Sequence, residues 1–222
     1  MRALLAFLLV VLASATPASA RLAPSEAPAA LAEASAAAYG PFRVLDQATA
    51  ALVDVTDEAA PAAFRAMLRD HPGLATLVFV ECPGTYDDRA NLALGRLIRA
   101  AGLVAWVPEG GSVRSGAVEL VLAGTALRID DGAEFAVHAW LDDDGRQARD
   151  YAADSPENRK YLAYYREMGM TAAQAAAFYA MTNSVPFDEA LWLDGAEMRR
   201  WIGRGEPAEP RLAYLDLAPA LN

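Results

Sequence analysis

Apolar residues recur along this chain in two spacings, and the alternation between them predicts where strands give way to helices. Leu74 to Val80 is an apolar run of strand length, and Leu103 to Val107 is a second. Short runs of this kind are what strands buried on both faces of a parallel sheet require. Between them Ala90, Leu94, Leu97, Ile98 and Ala101 share one helical face, with Asp88, Arg89, Arg96 and Arg99 mostly off it, and Gly102 ends the helix. An earlier helix is predicted over 56–69, where Ala63, Phe64 and Met67 have helical spacing and Pro72-Gly73 act as breakers. Strand, helix and strand within about 35 residues form a βαβ unit with a right-handed crossover. Its turn, Glu81-Cys82-Pro83-Gly84-Thr85, then falls at the carboxyl edge of the sheet, where open α/β folds place their sites.

Further along, Gly110-Gly111-Ser112-Val113-Arg114-Ser115-Gly116 opens a segment, Ser115 to Gly124, that is apolar except for Glu119 and predicts a buried helix. Phe135 to Trp140 reads as another strand, with His138 inside it. From Pro156 the spacing is helical: Tyr161, Leu162, Tyr164, Tyr165 and Met168, then Ala173 to Met181, then Ala196 to Ile202 after Trp192-Leu193-Asp194-Gly195. No internal repeat is visible. The pattern predicts an α/β fold with a parallel sheet followed by C-terminal helices.

The N-terminus changes the picture of where this domain works. Met1 to Ala20 has one arginine, an apolar stretch from Ala3 to about Ala13 and Ala18-Ser19-Ala20, the pattern of a cleaved secretory signal. Residues 21–39, rich in Ala, Pro, Ser and Glu, read as a flexible leader, and 40–222 as one α/β domain. The expected product is periplasmic or secreted. The apolar stretch is short for a membrane span and no later window supplies one, so no stable membrane anchor is expected. Removing the signal takes away Arg2 and no acid, leaving 18 bases against 29 acids, a net charge of −11. Such a surface disfavours nucleic acid and anionic lipid as partners. Cys82 is the only cysteine, so packing without an internal disulfide must stabilise the fold.

The chemistry worth weighing is a serine at a helix mouth and a histidine in a strand. Ser115 and His138 are the pairing that a serine hydrolase needs, because a neutral hydroxyl is a poor nucleophile until an imidazole takes its proton. The only other histidine, His71, sits in Asp70-His71-Pro72-Gly73 and reads as a solvated helix end. Cys82 reads as a small buried filler. Asp142-Asp143-Asp144-Gly145 lacks the alternating ligands and closing glutamate of a calcium loop and reads as a turn. With two histidines and one cysteine, no metal and no cofactor are expected.

The order of these pieces resembles the superfamily of Clp protease proteolytic subunits and crotonases, over about Leu74 to Gly203, and more narrowly its exported, ATPase-independent ClpP-like members. The resemblance rests on Val113-Arg114-Ser115-Gly116-Ala117, Leu122-Ala123-Gly124, the Val137-His138-Ala139-Trp140 stretch, Tyr161 to Gly169, and Trp192 to Glu197. It implies a spiral of βαβ units, a peptide or protein substrate and a homo-oligomer. It also implies Ser115 as nucleophile, His138 as general base, and an oxyanion hole from the amides of Gly116 and Thr85. Two features depart from the family: both cysteines that commonly flank the nucleophile are missing, and Thr85 stands where a second glycine is usual. The acid falls in register on Ala190, flanked by Asp188 and Glu189, of which Asp188 is the expected third member. Asn183 or Ser184 would be neutral substitutes, and a Ser-Lys dyad would require Lys160. Two classes of function follow, an exported serine peptidase and a catalytically degenerate binding or assembly module. A crotonase-type CoA enzyme ranks behind both, since export removes it from the usual CoA pool.

Overall fold

The computed structural model describes residues 35–203; the expected signal segment and most of the expected leader lie outside the described residues. Among the described residues, ten strands form two sheets. The larger has the order β1 (Ala37–Tyr39), β2 (Phe42–Val44), β3 (Thr49–Leu52), β4 (Thr76–Phe79), β6 (Val104–Val107), β8 (Ala126–Ile129). Its first three strands run antiparallel, and β3, β4, β6 and β8 are parallel neighbours. The two apolar runs are therefore adjacent parallel strands, as their composition predicts. The smaller sheet has the order β10 (Leu191–Asp194), β9 (Glu134–Val137), β7 (Ser112–Arg114), β5 (Glu81–Cys82). Here β5, β7 and β9 are parallel, and β10 closes one edge antiparallel to β9.

Each of β4, β6 and β8 is thus followed within a few residues by a short strand of the second sheet. The chain turns that corner where backbones come close. At Gly111 a Cβ would lie 2.8 Å from the Phe79 carbonyl oxygen and 2.9 Å from that of Pro108. Segments expected as turns, 81–85 and 110–114, contain β5 and β7, because two- or three-residue strands carry no readable period. The first strand, Ala37–Tyr39, begins inside the segment expected as leader.

Six α-helices complete the described chain: α1 (Ala60–Asp70), α2 (Asp88–Ala100), α3 (Ala117–Leu122), α4 (Pro156–Glu167), α5 (Ala172–Thr182) and α6 (Gly195–Ile202). Local chemistry sets their starts. The Asp87 carboxylate accepts from the Ala90 amide, Ser155 from Asn158, and Thr171 and Asp194 form capping boxes with Gln174 and Glu197. Helix α1 begins at Ala60 rather than at 56 because Pro61 suits a first turn and Asp57 bonds the amides of Ala59 and Ala60. Thr56 is drawn instead into a parallel bridge with Thr85. No helix among the described residues is long and apolar enough to cross a membrane.

The main core fills one face of the larger sheet. Alternate residues Leu77 and Phe79, Ala105 and Val107, and Leu127 and Ile129 point into it and meet Phe64, Leu94, Ile98 and the α4 tyrosines. On the opposite face Ala51, Val78 and Val80 form a small cluster against Trp106, whose ring lies under the Arg128 guanidinium at 4.3 Å. The helix predicted after Ser115 is only six residues long, with all six side chains buried.

Helix α2 and helix α4 meet through Gly95, where a Cβ would lie 1.9 Å from the Tyr164 hydroxyl oxygen and 2.7 Å from its Cζ. Tyr164 cannot retreat: it is fully buried and its hydroxyl donates to the Glu119 carbonyl at 2.6 Å. Gly95→Ala should therefore destabilise by about 1–3 kcal/mol although alanine is the better helix former. Adding Tyr164→Phe should restore part of the loss. Urea melts of the three variants check this, and an unchanged midpoint for Gly95→Ala would refute the contact.

Candidate active site

Strands β5, β7 and β9 lie side by side and parallel, so the residues that follow them emerge at one carboxyl edge. Thr85 follows β5, Ser115 and Gly116 follow β7, and His138 follows β9. In register Arg114 faces Ala136, which sets Ser115 beside the end of β9, and the Ser115 amide donates to the Ala136 carbonyl at 2.9 Å. All four residues line one cleft of about 630 Å³. His138, expected inside a strand, stands one residue past it. There the backbone leaves the ladder and Ala139 donates to Val185.

Ser115 is the one non-glycine among the described residues with a left-handed backbone, φ 49°. That conformation costs an L-residue about 1–2 kcal/mol and persists only where neighbours over-determine it. Here the bond to Ala136 holds one side of the turn, and the Val118 amide donating to the Ser115 carbonyl at 3.0 Å holds the other. Gly84 completes the seat: at φ 130°, any Cβ on it would lie 2.9 Å from the Ser115 Cβ. The hydroxyl is thereby presented at the mouth of α3.

The two candidate oxyanion donors flank that hydroxyl. Among the described residues neither the Thr85 nor the Gly116 amide donates a hydrogen bond, so both are free for a ligand. Thr85 takes a role that a glycine would not. Its hydroxyl donates to the Thr56 carbonyl and accepts from the Asp87 amide, both at 3.2 Å, which fixes the turn. Its methyl packs so closely on Gly116 that a Cβ there would approach to 2.6 Å. Beneath lies a buried polar tie that the sequence reading missed: Thr56 donates to Asn91 Oδ1 at 3.0 Å, and Asn91 Nδ2 donates to the Gly116 carbonyl at 2.6 Å.

The imidazole of His138 has its Nδ1 2.8 Å from the Ala139 carbonyl oxygen. A carbonyl only accepts, so in this contact Nδ1 carries the hydrogen and, in the neutral ring, Nε2 keeps its lone pair. The ring edge packs against Phe187, centroid to centroid 4.9 Å. Asp188, expected to hold this ring, does not: its side chain and that of Glu189 are exposed, neither lines the cleft, and Nδ1 is engaged by the backbone. The segment 183–189 reaches the site through Phe187 and Asn183 instead. Asn183 lines the cleft, its amide nitrogen bonded to the Tyr179 carbonyl at 2.8 Å and its Oδ1 buried without a partner among the described residues.

The charged lining of the cleft is mostly acidic, with Asp87, Asp88, Glu119, Asp142 and Asp143 against Arg89 and Lys160. Its walls are aromatic. Trp140 donates to the Tyr179 hydroxyl at 2.7 Å and stacks on Tyr161, and Lys160 Nζ lies 5.4 Å from the Trp140 ring and 5.0 Å from the Tyr161 ring. Glu119 is 8% exposed and accepts from the Tyr165 hydroxyl at 2.8 Å. Burial pushes its carboxyl up to about 7, against the opposing pull of that hydrogen bond. The signal for Glu119 was visible as the lone acid in an apolar helix. Cys82 is fully buried with its thiol against the Leu52 carbonyl, and burial pushes its pKa up, so it is an inert filler. His71 caps α1 against Tyr39, away from the cleft.

The raised Glu119 carboxyl makes a stability prediction. The folded protein holds this proton more tightly than the unfolded chain, so the contribution is most favourable below about pH 4.5 and is lost as pH rises to about 7. Glu119→Gln keeps an acceptor for Tyr165 and removes the titration. Its stability relative to the parent should therefore rise by on the order of 3 kcal/mol between pH 4.5 and 7.5. Parallel pH-dependent denaturant melts would show a constant gap if Glu119 titrates normally.

No model of a known protein family and no curated protein matches the chain. Among solved structures it is similar to a substrate-peptide complex of a mutant 1510-N membrane-bound stomatin-specific protease, at 14% identity over 70% of this chain and 72% of that one, with a TM-score of 0.42. A second mutant of that protease aligns at 14% identity over 70% and 76% of the two chains, with a TM-score of 0.44. A mutant of ClpP1 from Listeria monocytogenes aligns at 14% identity over 75% of this chain and 94% of that one, with a TM-score of 0.48.

Proposed function

We propose that the protein is an exported serine hydrolase, a peptidase of ClpP-like type, in which Ser115 is the nucleophile and His138 the general base. The observation that carries the reading is the left-handed Ser115 at the end of β7, beside the end of the strand that delivers His138, with two free amides in the same cleft. In this reading Ser115 Oγ attacks the scissile carbonyl as its proton passes to His138 Nε2. The amides of Gly116 and Thr85 receive the oxyanion. His138 then returns the proton to the departing amine, and water hydrolyses the acyl-enzyme by the same route. Export follows from the expected signal segment, and a homo-oligomer from the family resemblance.

The Ala139 carbonyl replaces Asp188 as the group that orients the ring. It fixes the tautomer but, being neutral, steadies an imidazolium less than a carboxylate, so a slow enzyme is expected. A fluorophosphonate should label the protein lacking residues 1–20, and Ser115→Ala should abolish labelling. His138→Ala should slow labelling by about 10³-fold or more, whereas Asp188→Ala should change it by less than about threefold. Lys160→Met separates the alternatives, since a loss as large as that of His138→Ala would transfer the base role to Lys160. A folded parent protein that takes no label would favour the degenerate binding module.

A further inference from the structure

We infer that the cleft beside Ser115 is a specificity pocket for a cationic side chain, with the Glu119 carboxylate as its floor and the Trp140 and Tyr161 rings as its wall. The inference rests on the hydrolase reading and adds the substrate class. Glu119 stands in the first turn of α3, four residues after Ser115, and lines the same cleft as the serine. Tyr165 donates to Oε1, and no other side chain among the described residues bonds the carboxylate. The backbone amide of Glu119 is the other donor that acts on the carboxyl, and the residue lines the cleft. A nine-tenths-buried acid in the cleft wall, with one side-chain donor and no cationic partner in that hydrogen bond, is matched in charge by an incoming ammonium or guanidinium.

The aromatic wall is a second, independent indication. Lys160 Nζ already rests over the faces of Trp140 and Tyr161, and it has no salt bridge among the described residues. The wall therefore accommodates a cation at the entrance, and a substrate cation can displace this exposed lysine toward solvent. Burial that holds Glu119 partly protonated also fits: a bound cation restores its charged form.

The test uses two peptidyl diphenyl phosphonates that differ only in carrying arginine or its neutral isostere citrulline at the reacting residue. Ser115 Oγ forms a bond to phosphorus as phenol departs, so the labelling rate reads entry into the pocket. The arginine probe should label the parent protein about tenfold faster or more, and Glu119→Gln should bring the ratio within about twofold of unity. Equal rates in the parent, or a ratio that survives Glu119→Gln, would overturn the inference. A second arm needs no catalysis and no variant: calorimetric binding of N-acetyl-arginine amide against its citrulline counterpart. If no phosphonate or fluorophosphonate labels the protein, the hydrolase reading falls. Selective binding of the arginine amide would then still uphold the cation pocket, and its absence would end it.

Discussion

The Ser115 amide donates to the Ala136 carbonyl, and this one backbone bond ties the turn after β7 to the strand that delivers His138. The remaining geometry of the cleft depends on it. Because β5, β7 and β9 are parallel, their carboxyl ends coincide, and Thr85, Ser115, Gly116 and His138 emerge together. The left-handed turn at Ser115 is expensive on its own, and it survives because the ladder holds its amide, α3 holds its carbonyl and a glycine lies beneath it. Such over-determination leaves the Ser115 backbone little freedom of position at the edge of the cleft.

Support for this edge comes from polar groups buried behind it. Thr56 and Asn91 are essentially inaccessible, yet each finds a partner, and together they connect the segment before α1 and the body of α2 to the Gly116 carbonyl. In a low-dielectric interior a satisfied network of this kind has few alternative arrangements, so it fixes orientation as well as stability. The threonine at 85 belongs to the same device. Where a second glycine would leave the turn loose, its hydroxyl bonds two backbone groups and its methyl fills the space against Gly116.

The other half of the cleft is built from helices far along the chain. Tyr161 and Tyr165 from α4 reach Asp88 and Glu119, and Trp140, Tyr179 and Asn158 form a hydrogen-bonded chain that joins α4, α5 and the segment after β9. Tyrosines suit this wall because each offers an apolar ring for packing and a hydroxyl for a buried acceptor. Their burial explains why α4, in spite of its many charges, holds a firm place over the sheet.

What the sequence by itself determined were the features encoded in local period and punctuation. The two apolar runs read as adjacent parallel strands, the Asp88–Ala100 helix lay between them, and the breakers after α1 and α2 marked their ends. Ser115 and His138 stood out as a hydroxyl at a helix mouth and an imidazole in an apolar strand, the two types that a serine hydrolase pairs. Strands β5 and β7 were not legible, since two or three residues cannot show an alternation and their pairing depends on partners about 30 residues away in the chain. For the same reason Asn91 and Thr56 looked like ordinary polar positions. Asp188 shows the converse limit. Its place before Trp192-Leu193 suggested an orienting acid, yet reach is a matter of distance through space, and the loop presents Phe187 and Asn183 to the cleft while Asp188 faces solvent. Tertiary structure alone decided which carboxyl is buried beside the serine, because burial depends on what packs over a side chain, and the tyrosines that enclose Glu119 arrive from α4, some 45 residues later.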